Sequence, residues 1–213
     1  SIGLVGSEMC IRDRPYTAYG VYLGVRAALG CALDNDDPKG RRVAVQGVGA
    51  VGGPLAERLA EAGAHVFAYD RDRARLEQLA ADHGVTIVGE QEVMTMECDL
   101  FAPCALGGVL NDETIPALGA KAIAGAANNV LLAPEHGKML DDRGILYAPD
   151  YVINAGGIVN VSVEFHDGGY DEDVALRKIE RIPQALKELW TIAREENIPC
   201  LLYTSPSPRD RSI

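Results

Sequence analysis

The stretch R-V-A-V-Q-G-V-G-A-V-G at positions 42–52 decides the fold. The pattern of residues 42–46 predicts a short buried strand, and three glycines spaced G-x-G-x-x-G follow it directly, ahead of an apolar helix. The first glycine permits a tight turn, the second lets a diphosphate approach the backbone, and the third lets the helix pack closely. The sequence therefore predicts a dinucleotide-binding turn at a helix N-terminus. Its residues are Gly47, Val48, Gly49, Ala50, Val51 and Gly52.

An acidic residue ends the next predicted strand. The sequence H-V-F-A-Y-D places Asp70 23 residues after Gly47, close to the spacing of about 20 that accompanies the glycine motif. A carboxylate at this position accepts hydrogen bonds from the adenosine ribose and repels a 2′-phosphate, so NAD is favoured over NADP. Arg71 is a competing signal, because an arginine can pair with that phosphate. The alternative for Asp70 is an N-cap of the following helix.

Strand and helix patterns alternate along the middle of the chain in units of about 20–30 residues, which is typical of a parallel sheet. The sequence therefore predicts an α/β fold: a Rossmann-type doubly wound parallel sheet with flanking N- and C-terminal helices. Pro183 should kink or split the long C-terminal helix. The predicted strands are 42–46, 65–70, 85–88, 99–101, 122–126, 145–147 and 151–153. The predicted helices are 15–33, 55–62, 72–83, 114–118, 135–142, 158–166 and 171–197.

The two ends differ from the middle. Residues 1–14 show no clear periodicity, and residues 201–213 contain two Ser-Pro steps that oppose helix. Both ends carry the tripeptide R-D-R and resemble translated sequencing-adapter sequence. We therefore expect an NAD-binding domain at 15–200 between two tails that are non-native or disordered.

Composition excludes several classes of function. The net charge of −11 without a basic patch disfavours nucleic-acid binding. Apolar stretches end well short of the roughly 20 residues that span a bilayer, so no membrane role is expected. Five scattered cysteines without a C-x-x-C pair, and histidines without ligand spacing, predict no metal site and a reducing cytoplasm.

Four separated strings carry a family resemblance. They are P-Y-T-A-Y-G-V-Y at 15–22, A-P-C-A-L-G-G at 102–108, A-G-A-A-N-N at 124–129 and Y-A-P-D-Y-V-I-N-A-G-G at 147–157. In this order they resemble the cofactor domain of the glutamate/leucine/phenylalanine/valine dehydrogenase family, over residues 15–199. The resemblance implies reversible oxidative deamination of an L-amino acid to a 2-oxo acid and ammonia, with hydride passed to NAD. It also implies a homo-oligomer.

The resemblance further implies roles for individual residues. Thr17 would lie beside the nicotinamide, Cys104 and Ala105 would line a cofactor loop, and Asn154 would lie near the nicotinamide ribose. Asn129 would contact both cofactor and substrate. A neutral amide suits that position, because it donates and accepts hydrogen bonds without adding a charge near the transferred hydride. The alternatives without a functional role are that Thr17 is an ordinary helix residue and that Cys104 is a small buried side chain.

The substrate side of the resemblance is apolar. Ile158 and Val161 would form one wall of the side-chain pocket, or else belong to the plain core, and branched aliphatics there select alkyl side chains by burial. The family's catalytic lysines and their acidic partner lie in an upstream domain that nothing here matches. We therefore expect no catalytic residue in this chain, and we expect it to bind NAD alone without deaminating amino acids.

Two other functions compete with this interpretation. One is a stand-alone, non-catalytic NAD-binding regulatory module, although a sensor would not need the substrate-side string at 147–157. The other is a hydroxy-acid dehydrogenase, which would need a catalytic His or Lys facing the nicotinamide. The sequence offers no residue for that position.

Overall fold

The computed structural model describes the backbone of residues 2–157 and 171–196 and the side chains of 14–157 and 171–196. Its centre is a six-stranded parallel sheet in the order β3-β2-β1-β4-β5-β6. The α/β fold with a doubly wound parallel sheet is therefore confirmed. The strands are β1 Arg42–Gln46, β2 His65–Tyr69, β3 Thr86–Ile87, β4 Cys98–Pro103, β5 Ala120–Ile123 and β6 Leu146–Tyr147.

Helices cover both faces of the sheet. They are α1 Ile2–Leu33, α2 Gly52–Glu61, α3 Arg73–His83, α4 Glu92–Thr95, α5 Glu135–Asp142, α6 Asp150–Ile153, α7 Glu172–Ile179 and α8 Ile182–Glu196, with a 3-10 turn at Ile115–Ala117. The strand order reverses between β1 and β4, which pair side by side although two strands separate them in sequence. Ligands of doubly wound sheets bind outside the carboxyl ends of the strands at such a switch point.

The hydrophobic core has two layers because successive strand residues point to opposite faces. Val43 and Val45 of β1 belong to the core layer that includes α1, α2, α3 and α8, whereas Ala44 between them belongs to the layer with α4, α5 and the 3-10 turn. All three side chains are fully buried. Burial on both faces explains why the central strands are continuous apolar runs rather than alternating ones.

One predicted strand was wrong. The stretch at 151–153 was expected to be extended, but the structure has the short helix α6 at Asp150–Ile153. The carbonyl of Pro149 accepts from the N–H groups of Val152 and Ile153, which closes a helical turn. Aromatic and β-branched side chains favoured a strand here, and the backbone bonds that begin at the proline outweigh that local preference.

Other boundaries moved without changing the architecture. Helix α1 begins at Ile2 rather than Pro15, which lies inside it, and β5 ends at Ile123 rather than residue 126. The C-terminal helix is split as predicted: α7 ends at Ile179 and α8 begins at Ile182, directly before Pro183. The predicted helix at 158–166 and the tail at 201–213 lie outside the described residues, and the assignment of 1–14 to a tail stays a prediction.

Trp190 fixes the C-terminal helix to the end of the sheet. Its side chain is 4% exposed, and its indole Nε1 donates a hydrogen bond of 2.9 Å to the carbonyl of Tyr147, the last residue of β6. Leu186, one turn earlier on α8, packs close to Gly24 of α1. Trp190 therefore holds the strand that leads into the loop at 148–157.

We predict that Trp190→Phe lowers the free energy of unfolding by about 1–3 kcal/mol, because a buried carbonyl loses its donor. Urea unfolding followed by far-UV circular dichroism measures this, since the variant removes the chain's only tryptophan as a fluorophore. Thr191→Ala, at the neighbouring exposed position, is the control and should change stability by much less. An unchanged urea midpoint for Trp190→Phe would contradict the anchoring role.

Candidate functional site

Four loops meet at the carboxyl edge of the sheet. They follow β1, β4, β5 and β6 and span residues 47–52, 104–108, 124–129 and 148–157; the first ends on the first residue of α2, and the last contains the short helix α6. Each of the four family-like strings except the first lies in one of these loops or in the strand that leads to it. Because parallel strands end at one edge, residues far apart in sequence converge here, as the switch-point rule expects.

The three glycines of the turn have three different environments. Gly47 has φ +93°, a conformation that side chains rarely adopt. A Cβ on Gly52 would lie 1.9 Å from the Gly47 carbonyl oxygen, so α2 can begin this close only with glycine there. A Cβ on Gly49 would find only Arg75 Nη1, at 4.0 Å. The backbone at Gly49 is thus open to a ligand, while the other two glycines shape the turn.

The N–H groups of the turn are only partly used. Gly47 N donates to the carbonyl of Tyr69 at 2.7 Å, and Gly53 N donates to that of Gly49 at 3.0 Å. Among the described residues, none accepts from the N–H groups of Ala50 or Val51. These groups lie at the start of the ten-residue helix α2, where the positive end of the helix dipole favours an anion.

Asp70 lies against the glycine turn. Its Oδ2 accepts from Val48 N at 2.7 Å and its Oδ1 accepts from Asp72 N at 2.8 Å. The N-cap of α3 is Asp72, whose side chain accepts from Arg75 N at 3.2 Å. Asp70 is therefore not that cap, and its carboxylate lies where the turn and the end of β2 meet.

Arg71 is highly exposed and pairs weakly with Glu90. Its Nη2 lies 3.9 Å from Glu90 Oε1, and both side chains are more than half exposed. An exposed pair at that separation contributes little, so the Arg71 guanidinium stays available to a ligand. Arg75 on α3 is the basic side chain that lies near Gly49, and the sequence patterns gave no signal for it.

The loop after β4 packs directly on the glycine turn. Cys104 N donates to the carbonyl of Gln46 at 2.7 Å, and a Cβ on Gly47 would lie 2.8 Å from Ala105 N. Burial of the sulfur raises the pKa of Cys104 to about 12. The thiol is therefore protonated at neutral pH, which disfavours a role as a nucleophile.

Asn129 lies in a left-handed turn at the edge after β5, with φ +50°. The Asp150 carboxylate accepts from Asn129 N, and Asn154 Nδ2 donates to Asn128 Oδ1 at 2.6 Å. These two bonds tie the loop after β5, which carries Asn129, to the segment after β6, which carries Asn154. Asn128 and Asp150 are the partners in these bonds. Both lie in the quoted strings, but neither was expected as a site residue.

Thr17 reaches the same edge from α1. A Cβ on Gly156 would lie 2.5 Å from the carbonyl oxygen of Tyr16 and 3.1 Å from Thr17 Cα, so the N-A-G-G segment lies directly against this turn of α1. Thr17 is half-buried there. Ile158 and Val161, the predicted pocket wall, lie outside the described residues.

Within the described part of the chain, no group of three or more His, Cys, Asp and Glu side chains is arranged to hold a metal ion. Likewise, none of the described helices is long and apolar enough to cross a membrane.

The large apolar side chains that are exposed among the described residues lie at the edge of the sheet described above, in or next to its loops. They are Leu106, Leu132 and Tyr151.

A doubly wound parallel sheet with an open glycine turn at its switch point defines the class of dinucleotide-fold α/β proteins. The family model for glutamate/leucine/phenylalanine/valine dehydrogenase matches residues 11–74 and 66–205. The chain belongs to this family.

Curated relatives agree with membership of this family. Leucine dehydrogenase of Geobacillus stearothermophilus is 46% identical over 197 residues, which are 92% of this chain and 53% of the relative. L-tryptophan dehydrogenase of Nostoc punctiforme is 44% identical over 193 residues, 90% of this chain and 54% of the relative. The chain therefore spans about half the length of these curated relatives.

Solved structures confirm the fold. The crystal structure of the Nostoc punctiforme L-tryptophan dehydrogenase matches with a TM-score of 0.84 and 43% identity, over 88% of this chain and 55% of that one. A hetero-hexameric glutamate dehydrogenase from Thermus thermophilus matches with a TM-score of 0.68 and 24% identity, over 88% and 49%. The second likeness, at this identity, supports the fold alone.

Proposed function

We propose that this chain is the NAD-binding part of an L-amino-acid dehydrogenase that converts apolar amino acids to 2-oxo acids and ammonia. The observation that carries the proposal is the open backbone at Gly49, with unused N–H groups at the start of α2 and the Asp70 carboxylate against the same turn. Family membership indicates the reaction class, and NAD would accept the hydride.

The adenosine half of the cofactor would be held by backbone and one carboxylate. The N–H groups of Ala50 and Val51 would bind the diphosphate, whose charge the N-terminus of α2 favours. Asp70 already accepts two N–H groups, and its remaining lone pairs would take the ribose hydroxyls. Cys104 and Ala105 would bound the cofactor on the β4 side.

The nicotinamide half would be held by neutral groups. Asn129, Asn154 and Thr17 lie on three elements that meet at the edge after β5 and β6. Amides and a hydroxyl can orient a carboxamide and a substrate by hydrogen bonds without placing a fixed charge beside the transferred hydride. Positions 158 and 161 remain the proposed apolar wall for the substrate side chain.

The described lysines lie outside the loops at the carboxyl edge of the sheet. None of the loops at 47–52, 104–108, 124–129 and 148–157 contains a lysine. Lys121 pairs with Asp99 at 2.9 Å near the start of β5, the opposite end of the strand, and Lys138 pairs with Asp142 at 2.6 Å. This supports the proposal that the chain binds NAD and that catalytic lysines belong to another part of the intact enzyme.

We predict that Gly49→Ala lowers NAD affinity about tenfold or more, which is about 1.4 kcal/mol, without changing the urea midpoint of unfolding. The added methyl group has room in the free chain, but it would lie where the diphosphate must approach the backbone. Gly89→Ala, where an added Cβ also has room, is the matched control and should leave affinity unchanged. Isothermal titration calorimetry with NAD measures both. Unaltered NAD affinity in Gly49→Ala would exclude the turn as the diphosphate site.

We predict that Asp70→Ser weakens NAD binding more than NADP binding. The charged hydrogen bonds to the ribose are worth roughly 1.5–3 kcal/mol, and the repulsion of a 2′-phosphate disappears with the carboxylate. Losing the contact to Val48 N affects both nucleotides equally, so the ratio of the two dissociation constants isolates the ribose role. Calorimetry with each nucleotide measures the ratio, and equal weakening of both would remove Asp70 from that role.

A further inference from the structure

The turn at Asn128–Asn129 is held in a conformation that its sequence does not favour by itself. Asn129 has φ +50°, in the left-handed region that costs energy for residues other than glycine. Asparagine tolerates this region better than most residues, but a single tolerated residue does not fix a turn. The turn is also exposed, so burial of its side chains does not hold it.

Asp150 supplies the missing constraint from the next loop. One oxygen of its carboxylate accepts from Asn129 N, and the other accepts from Tyr151 N at 2.9 Å. The first bond spans two loops and the second fixes the carboxylate at the start of α6. Hydrogen bonds from N–H groups to an ionised carboxylate are stronger than those between neutral groups.

The opposite side of the turn is closed by the loop after β4. Gly108 N donates to the carbonyl of Asn129 at 2.7 Å, and a Cβ on Gly107 would lie 2.6 Å from the carbonyl oxygen of Asn128. The turn is therefore clamped between two loops. Asp150 is the charged group of this clamp, and its two oxygens are already engaged by N–H groups of the chain itself.

We propose that Asp150 is a positioning residue, which sets the left-handed turn so that the side chain of Asn129 faces the nicotinamide half of the dinucleotide. This rests on the proposed function of the chain as an NAD-binding domain. Asp150 itself does not touch the cofactor; it acts through the backbone of Asn129. The adenosine half, bound at the glycine turn and Asp70, does not depend on it.

The test is Asp150→Asn, which keeps the shape of the side chain and replaces one acceptor oxygen by a donor that opposes an N–H group. Calorimetry compares NAD with ADP, which probes the adenosine half alone. Affinity for NAD should fall about tenfold, while affinity for ADP stays unchanged. Asp142→Asn, the same change at an exposed carboxylate that pairs with Lys138 on α5, should alter neither.

A second variant separates positioning from folding. Glycine adopts the left-handed region without strain, so Asn129→Gly removes both the side chain and the need for the clamp. Adding Asp150→Asn to Asn129→Gly should change NAD affinity by less than about twofold, because the two effects are not independent. The double variant also reports on Asp150 if Asp150→Asn alone does not fold.

The proposal is overturned if Asp150→Asn leaves NAD affinity unchanged, lowers NAD and ADP affinity together, or costs a further tenfold in the Asn129→Gly background. An unaltered chain that binds ADP but not NAD would overturn the nicotinamide-side roles, including this one. A chain that binds neither nucleotide would overturn the proposed function itself.

Discussion

The carboxyl edge of this sheet depends on close contact between backbone segments. At five contacts around this edge a glycine faces another stretch of backbone, and a Cβ there would lie within 3 Å of a carbonyl oxygen or an amide nitrogen of that backbone. These contacts bring the ends of β1, β4, β5 and β6 together in a small volume. As a result, main-chain N–H groups and short polar side chains reach the surface there, beside the exposed Leu106 and Tyr151. The glycines at these contacts are Gly47, Gly52, Gly107, Gly125 and Gly156.

The site that results is electrostatically divided. At the glycine turn the chain offers the positive end of α2 and one carboxylate, Asp70, which suits a diphosphate next to a sugar. At the other end Asn129, Asn154 and Thr17 are neutral, and the nearby charge of Asp150 is occupied by two backbone N–H groups. A dinucleotide has a matching order, with the adenosine ribose and the anionic diphosphate toward one end and the nicotinamide ring at the other.

Much of this was predictable from the sequence because the signals are local. The strand before the glycine turn, the carboxylate at the end of β2 and the helix at 135–142 follow from short-range patterns, and the structure has each of them. The failures come from contacts that the side-chain pattern does not show. The helix at α6 depends on Pro149 and on the loop that Asp150 reaches, and neither shows in the periodicity of Tyr151–Ile153. Arg75 escaped notice because its position near Gly49 depends on how α3 packs.

The most direct test of the account is an amide NMR titration of the ¹⁵N-labelled chain with NAD. If the open turn binds the diphosphate, the largest shift changes fall on the amides of Gly49, Ala50 and Val51. The amide of Val48 should follow, because its acceptor Asp70 takes on the ribose. Saturation with NAD that leaves these amides unmoved, while others respond, would contradict the account.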